Sequence, residues 1–95
     1  MNIHELKTEE PYFNQIYNDI KTFEVRKNDR DFQQGDILHL REYITKSVGS
    51  PFYSGYELLA RITCILNDDR FVKKDYVILG ISVLVRQPSS SNKRL

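Results

Sequence analysis

The residues best placed by type and spacing to do chemistry are Lys21, Glu24 and Arg26. They lie in the run Lys21-Thr22-Phe23-Glu24-Val25-Arg26-Lys27-Asn28, where residues alternate with the period of a β-strand. Strand parity sets Phe23 and Val25 on one face and Thr22, Glu24, Arg26 and Asn28 on the other, so Glu24 and Arg26 are within reach of each other. An arginine held by a carboxylate keeps its planar fork oriented, which suits it to a phosphate or a base edge. Glu24 can accept hydrogen bonds from an exocyclic amine or a ribose hydroxyl. Lys21 stands where a helix hands over to the strand, so its long side chain can swing over a cleft mouth. As a general base or nucleophile it would need burial or a nearby positive charge such as Arg26, and Glu24 acts in the opposite sense. The same residues also suit an exposed strand with an ordinary surface ion pair, worth under ~1 kcal/mol.

Around this trio stand further candidates. His4 shares parity with apolar Leu6; it reads either as a partly buried histidine bonded to backbone or as a base contact or proton shuttle at the floor of a cleft. Lys7 would then be a second cation near Lys21. Lys21, Arg26, Lys27 and Arg30 form a basic run interrupted by Glu24, Asp29 and Asp31. It reads as a solvated charged loop or as a phosphate-contacting rim, with Arg41, Tyr43, Phe52, Tyr53 and Tyr56 nearby for stacking. Two histidines and one cysteine make no ligand-spaced metal set, and no metal or other cofactor is expected. Cys64 sits mid-strand on an apolar face and reads as a core thiol.

The elements that must position these residues follow from periodicity. Residues 2–7 read as a short strand. Residues 9–20 read as a helix, with Thr8 as N-cap, Glu9, Glu10 and Pro11 in its first turn, and Phe13, Ile16, Tyr17 and Ile20 as one apolar stripe. Strands are expected at 22–28, 37–44, 56–66 and 76–85, the last covered on both faces because it is nearly all apolar. Residues 45–55 read as a long hairpin loop and 67–75 as a charged loop. One early helix and about five short strands give a mainly β (α+β) small barrel, a single domain over residues 1–86 with a flexible polar tail at 87–95.

Composition bounds the function. The chain has 95 residues, enough for one domain with a modest core, and 40% hydrophobic against 28% charged residues is ordinary for a globular protein. The formal net charge of +1 means that nucleic-acid contact would have to come from a local basic patch. A single cysteine excludes an intrachain disulfide, MNIHELKTEE lacks the apolar core of a signal peptide, and no apolar run approaches a membrane span. A cytoplasmic location and no membrane partner are expected.

The run from Lys21 to Arg30, followed by Phe32 and Gly35-Asp36, resembles an uncharacterised bacterial and phage branch of the ASCH (activating signal cointegrator homology) superfamily, whose domains are PUA-like. The branch typically opens with H-x-L-K, here His4-Glu5-Leu6-Lys7, continues with a P-x-F helix, here Pro11-Tyr12-Phe13, and closes with a strand of the type found from Tyr76 to Ile81. The resemblance implies a PUA-like pseudo-barrel with a cleft. The superfamily signature G-x-K-x-x-E-x-R falls on Asp19, in place of glycine, and on Lys21, Glu24 and Arg26, which in the superfamily face that cleft. PUA relatives bind RNA and some ASCH relatives recognise modified bases or nucleosides. One small bacterial group hydrolyses acetylated cytidine with a lysine and a threonine of this motif and a distant glutamate. Lys21 aligns with that lysine, but Glu24 stands at the threonine position, and only Asp68, Asp69 and Asp75 offer loose counterparts to the glutamate.

Three functions follow as expectations. The first is a binding module for RNA, a nucleotide or a modified nucleoside, in which Glu24 and Arg26 read polar groups and Lys21, Lys27 and Arg30 hold phosphate. The second is a metal-independent amidohydrolase on an acylated nucleoside, with Lys21 and Glu24 in the catalytic site. The third is a protein-interaction module of a phage or mobile element, with an exposed apolar patch around Phe52, Tyr53 and Tyr56.

Overall fold

The structure is a computed structural model and describes residues 1–88. The tail expected at 87–95 therefore lies outside the described residues except for Gln87, which ends a strand, and Pro88. The chain forms β1 (Ile3–Glu9), α1 (Glu10–Tyr17), β2 (Phe23–Lys27), β3 (Ile37–Ile44), β4 (Phe52–Leu66) and β5 (Tyr76–Gln87). The strands build a single curled sheet in the order β1-β3-β4-β5-β2, with β1 and β3 parallel and the other pairs antiparallel. The fold is mainly β with one short helix, as the periodicity predicts.

This order sends the first two strands of the chain to the two edges of the sheet, and the curl brings those edges face to face as a half-barrel. Side chains, not a backbone ladder, bridge the seam. The Arg26 guanidinium donates to the Lys7 carbonyl at 2.7 Å, and that of Arg30 to the Glu5 carbonyl at 3.0 Å. Helix α1 fills the mouth, and its buried face of Phe13, Ile16 and Tyr17 joins the core formed by Leu6, Leu38, Leu40, Leu58, Ile62 and Leu79.

Local expectations fail where the backbone departs from regular geometry. Strand β1 runs straight into α1, so the N-cap is Glu9, which makes no side-chain cap bond, and Thr8 is a buried strand residue. The helix stops at Tyr17 because Asp19 turns left-handed, at φ 60°; Ile20 leaves the stripe and is exposed. Strand β4 begins at Phe52, within the expected loop, and a register shift between Ile62 and Cys64 inserts Thr63, rotating Cys64 outward. Cys64 is thus an exposed thiol, not a core one. A second shift skips Leu84 in β5, so Leu84 and Val85 face solvent and only the Val77, Leu79 and Ile81 face of that strand is buried.

Gly80 sits against the β4 bulge, where an added Cβ would come within 2.5 Å of Cys64 Sγ and 3.0 Å of Thr63 Oγ1. Gly80→Ala is expected to cost about 1–2 kcal/mol by overpacking. Cys64→Ala in the same chain should recover part of that loss. Urea unfolding of both variants checks it, and a Gly80→Ala protein as stable as the parent would contradict the packing.

The start of the sheet is pinned by buried Asp36. Its carboxylate accepts from His4 Nε2 at 2.9 Å and from the backbone N–H groups of Asn2 at 3.0 Å and Gln33 at 3.1 Å. The His4 bond first, then the Asn2 amide, hold the Asp36 carboxyl below its ordinary value of 3.8, against the opposing effect of burial. A lowered carboxyl pKa adds stability that is present above the ordinary value and lost as pH falls through the folded one. Asp36→Ala is expected to cost about 2–3 kcal/mol at neutral pH, because it strands three donors. Its urea midpoint should also fall less than the parent's between pH 5 and about pH 2–3; an equal fall would contradict the assignment.

Candidate functional site

The site forms where the end of β1, the exposed flank of α1 and the edge strand β2 meet. The handover from helix to strand sets its shape. The carbonyl of Gln15 accepts the N–H groups of Ile20 at 2.8 Å and Lys21 at 3.0 Å, so the chain doubles back beneath the helix and delivers Lys21 to the start of β2. In β2 the usual pattern is inverted. Phe23 and Val25 are exposed, whereas Glu24 is buried at 3% relative exposure. A strand that turns its carboxylate inward and its apolar residues outward is satisfying a polar interior.

That interior is an ion cluster at the back of a cleft of about 720 Å³. Arg26 Nε donates to Glu24 Oε2 at 2.7 Å and Lys21 Nζ to Glu24 Oε1 at 3.4 Å. Arg26 Nη2 donates to Thr8 Oγ1 at 3.0 Å as well as to the Lys7 carbonyl. The Lys21 ammonium lies 4.8 Å from the Tyr12 ring centroid and 5.2 Å from that of Phe23. The trio is therefore a partly buried network around a buried carboxylate, whose members line an open cleft with aromatic walls, not an ordinary surface pair. Such an array can bind a ligand that carries both donors and acceptors and can stack its planar part.

Of the residues singled out in the sequence, the structure brings Lys7, Lys21, Glu24 and Arg26 to the cleft. His4 is elsewhere: it is buried in the Asp36 pair and packs edge-on against Phe32 at 4.8 Å, so it is not at the cleft floor. Lys27 is exposed and not among the lining residues, and the Arg30 guanidinium is engaged at the β1 edge. Arg41 and Tyr43 belong to the outer face of β3. There the Arg41 guanidinium lies 3.8 Å from the Tyr53 ring, Tyr43 meets Tyr53 edge-on at 5.0 Å, and Lys7 Nζ stands 4.6 Å from the Tyr43 ring. Lys7 thus links the cleft to this outer ladder. Tyr56 turns inward against Tyr17, away from Phe52 and Tyr53. Asp68, Asp69 and Asp75 line a separate hollow with Lys73 and Lys74.

Sequence reasoning missed Thr8, Tyr12 and Gln15 as lining residues. Tyr12 and Gln15 are i, i+3 neighbours bordering the apolar stripe, on the flank nearest the chain's return at Lys21, and that adjacency was the available signal. Nothing local marks Thr8, whose role depends on contact with Arg26 eighteen residues on.

Comparison with known proteins bears on kinship. An uncharacterised 12.9 kDa protein in the GpA 3' region of Escherichia phage P2 is 34% identical over 77 residues, which are 81% of this chain and 65% of that protein. The chain thus spans just under two thirds of its relative's length. A family model matches residues 3–81, from β1 through the first half of β5 and including every residue of the cleft, and the chain belongs to that family, described as Domain of unknown function (DUF3850).

Proposed function

We propose that this chain is a PUA-like domain of the ASCH type that binds RNA, a nucleotide or a modified nucleoside in the cleft between β1, α1 and β2, and that it works in the cytoplasm. The observation that carries the reading is buried Glu24, held between Lys21 and Arg26 and facing a cleft walled by Tyr12 and Phe23. A carboxylate fixed between two cations presents acceptors and donors side by side, as a base edge requires, and exposed rings offer stacking surfaces. The cleft volume lies in the range of small-molecule sites, roughly 300–1,000 Å³. Near-neutral net charge favours a small ligand or a short single strand over long nonspecific contact. Among the described residues no helix is long and apolar enough to cross a membrane.

Hydrolysis of an acylated nucleoside has less support. Lys21 is tied to Glu24, threonine is absent at the position of Glu24, and the aspartates at 68, 69 and 75 line another hollow. Fluorescence anisotropy with a short labelled single-stranded RNA tests the binding reading. Affinity should fall with added salt, and Tyr12→Ala should weaken it about tenfold through lost stacking. No binding to RNA or to any nucleotide would reject it in favour of a protein partner. Metal-free turnover of acetylated cytidine that disappears in Lys21→Ala would replace it with the hydrolase reading.

A further inference from the structure

Resting on that reading, we infer that the cleft selects guanine, through the order of donor and acceptors that Lys21 and Glu24 present, with Arg26 holding the carboxylate in place. A donor flanks each oxygen of the Glu24 carboxylate, the Lys21 ammonium at Oε1 and the Arg26 guanidinium at Oε2. The array open to a ligand runs donor, acceptor, acceptor, from Lys21 through Oε1 to Oε2. Each carboxylate oxygen has two lone pairs, so accepting one internal donor leaves room for a ligand donor. Arg26 spends Nε and Nη2 on Glu24, Lys7 and Thr8, and so holds the carboxylate in place without offering a ligand a donor beside Oε2. Lys21 keeps ammonium protons beyond the one given to Glu24.

The complement of this array is an edge reading acceptor, donor, donor. Guanine has it: O6, N1–H and the N2 amine in sequence. The other common bases fit worse. Uracil presents a single N–H between two carbonyls, so one carboxylate oxygen would face a carbonyl. Adenine and cytosine set a bare ring nitrogen beside their amine, and that nitrogen would meet the second oxygen. Against the buried Glu24 carboxylate such mismatches leave polar groups unpaired, which is a strong source of discrimination. Tyr12 and Phe23, about half exposed on either side of Lys21, are placed to stack on a purine.

The test is a competition series on the wild-type protein with the five nucleoside monophosphates of guanine, hypoxanthine, adenine, cytosine and uracil. Hypoxanthine differs from guanine only by the missing N2 amine. Guanosine monophosphate should bind tightest, and at least about tenfold tighter than inosine monophosphate. In Glu24→Gln the gap should shrink to within about threefold, since an amide offers only one acceptor oxygen. If that variant fails to fold, the guanine-to-hypoxanthine ratio on the wild type decides alone. Equal binding of all five, or a preference for another base, would overturn guanine selection and leave the nucleotide reading standing. Binding of none would overturn both.

Discussion

Glu24→Ala is expected to lower stability by about 2–3 kcal/mol and to abolish binding in the cleft. The first effect follows from burial. Glu24 is 3% exposed and compensates two cations whose side chains are themselves only 13% and 22% exposed. Removing one partner of a buried pair costs about 3–5 kcal/mol because it strands the other charge. Partial solvent access to Lys21 and Arg26 reduces that figure. The loss is a large fraction of the roughly 5–15 kcal/mol that holds a domain folded. Glu24→Gln keeps one acceptor and the shape, and should cost about 1 kcal/mol. Urea melts separate the variants, and an alanine variant as stable as the parent would show that the carboxylate does not organise this region.

The second large effect is expected at Arg26, for a different reason. One guanidinium satisfies Glu24, the Lys7 carbonyl and Thr8 Oγ1, and so joins β2 to the far edge of the same sheet. Arg26→Lys retains the charge but replaces a rigid fork by a point donor. It should cost about 2 kcal/mol, and Arg26→Ala about 3 kcal/mol. The signature is spatial as well as energetic. Amide exchange should accelerate selectively in β1 and β2, the two strands with one sheet neighbour each, while β4 and β5 stay protected. A double-mutant cycle with Glu24→Gln should give a coupling above about 1 kcal/mol. Uniform acceleration across the sheet, or additive effects, would mean that Arg26 is an ordinary surface residue.

How far the sequence makes this molecule legible depends on how local each signal is. Glu24 and Arg26 are readable as a pair because strand parity is a two-residue rule and β2 has no bulge, whereas Lys21 precedes the strand and is placed by the handover from the helix. The strand pattern and single helix are readable because each follows from a short local period. Parity fails at Cys64 and at Leu84 because each ladder holds one extra residue there, Thr63 in β4 and Leu84 itself in β5, and one inserted residue exchanges the two faces. Ile20 has helical spacing from Phe13, yet a left-handed turn at Asp19 intervenes, and apolar spacing does not report a change of hand. His4 could be assigned to core or cleft only by knowing that Asp36 starts the neighbouring strand. Parallel pairing of β1 with β3 brings them together across a gap of thirty-two residues. Arg30 and Arg26 carry the charge of a phosphate rim, but the curl of the sheet gives each a backbone carbonyl of β1 instead. That closure is a property of the whole sheet, not of any window of sequence.

The central claim is that the space between β1, α1 and β2 is where this protein meets its ligand. An amide-resolved NMR titration of the labelled full chain tests it most directly, using nucleoside monophosphates, acetylated cytidine and a short single-stranded RNA. The account expects saturable shifts confined to residues 7–15 and 20–26, with the amides around Asp36 and those of the 67–75 loop unmoved. A spectrum silent across the whole panel, or shifts centred on the outer face at Tyr43 and Tyr53 with the cleft unmoved, would contradict it.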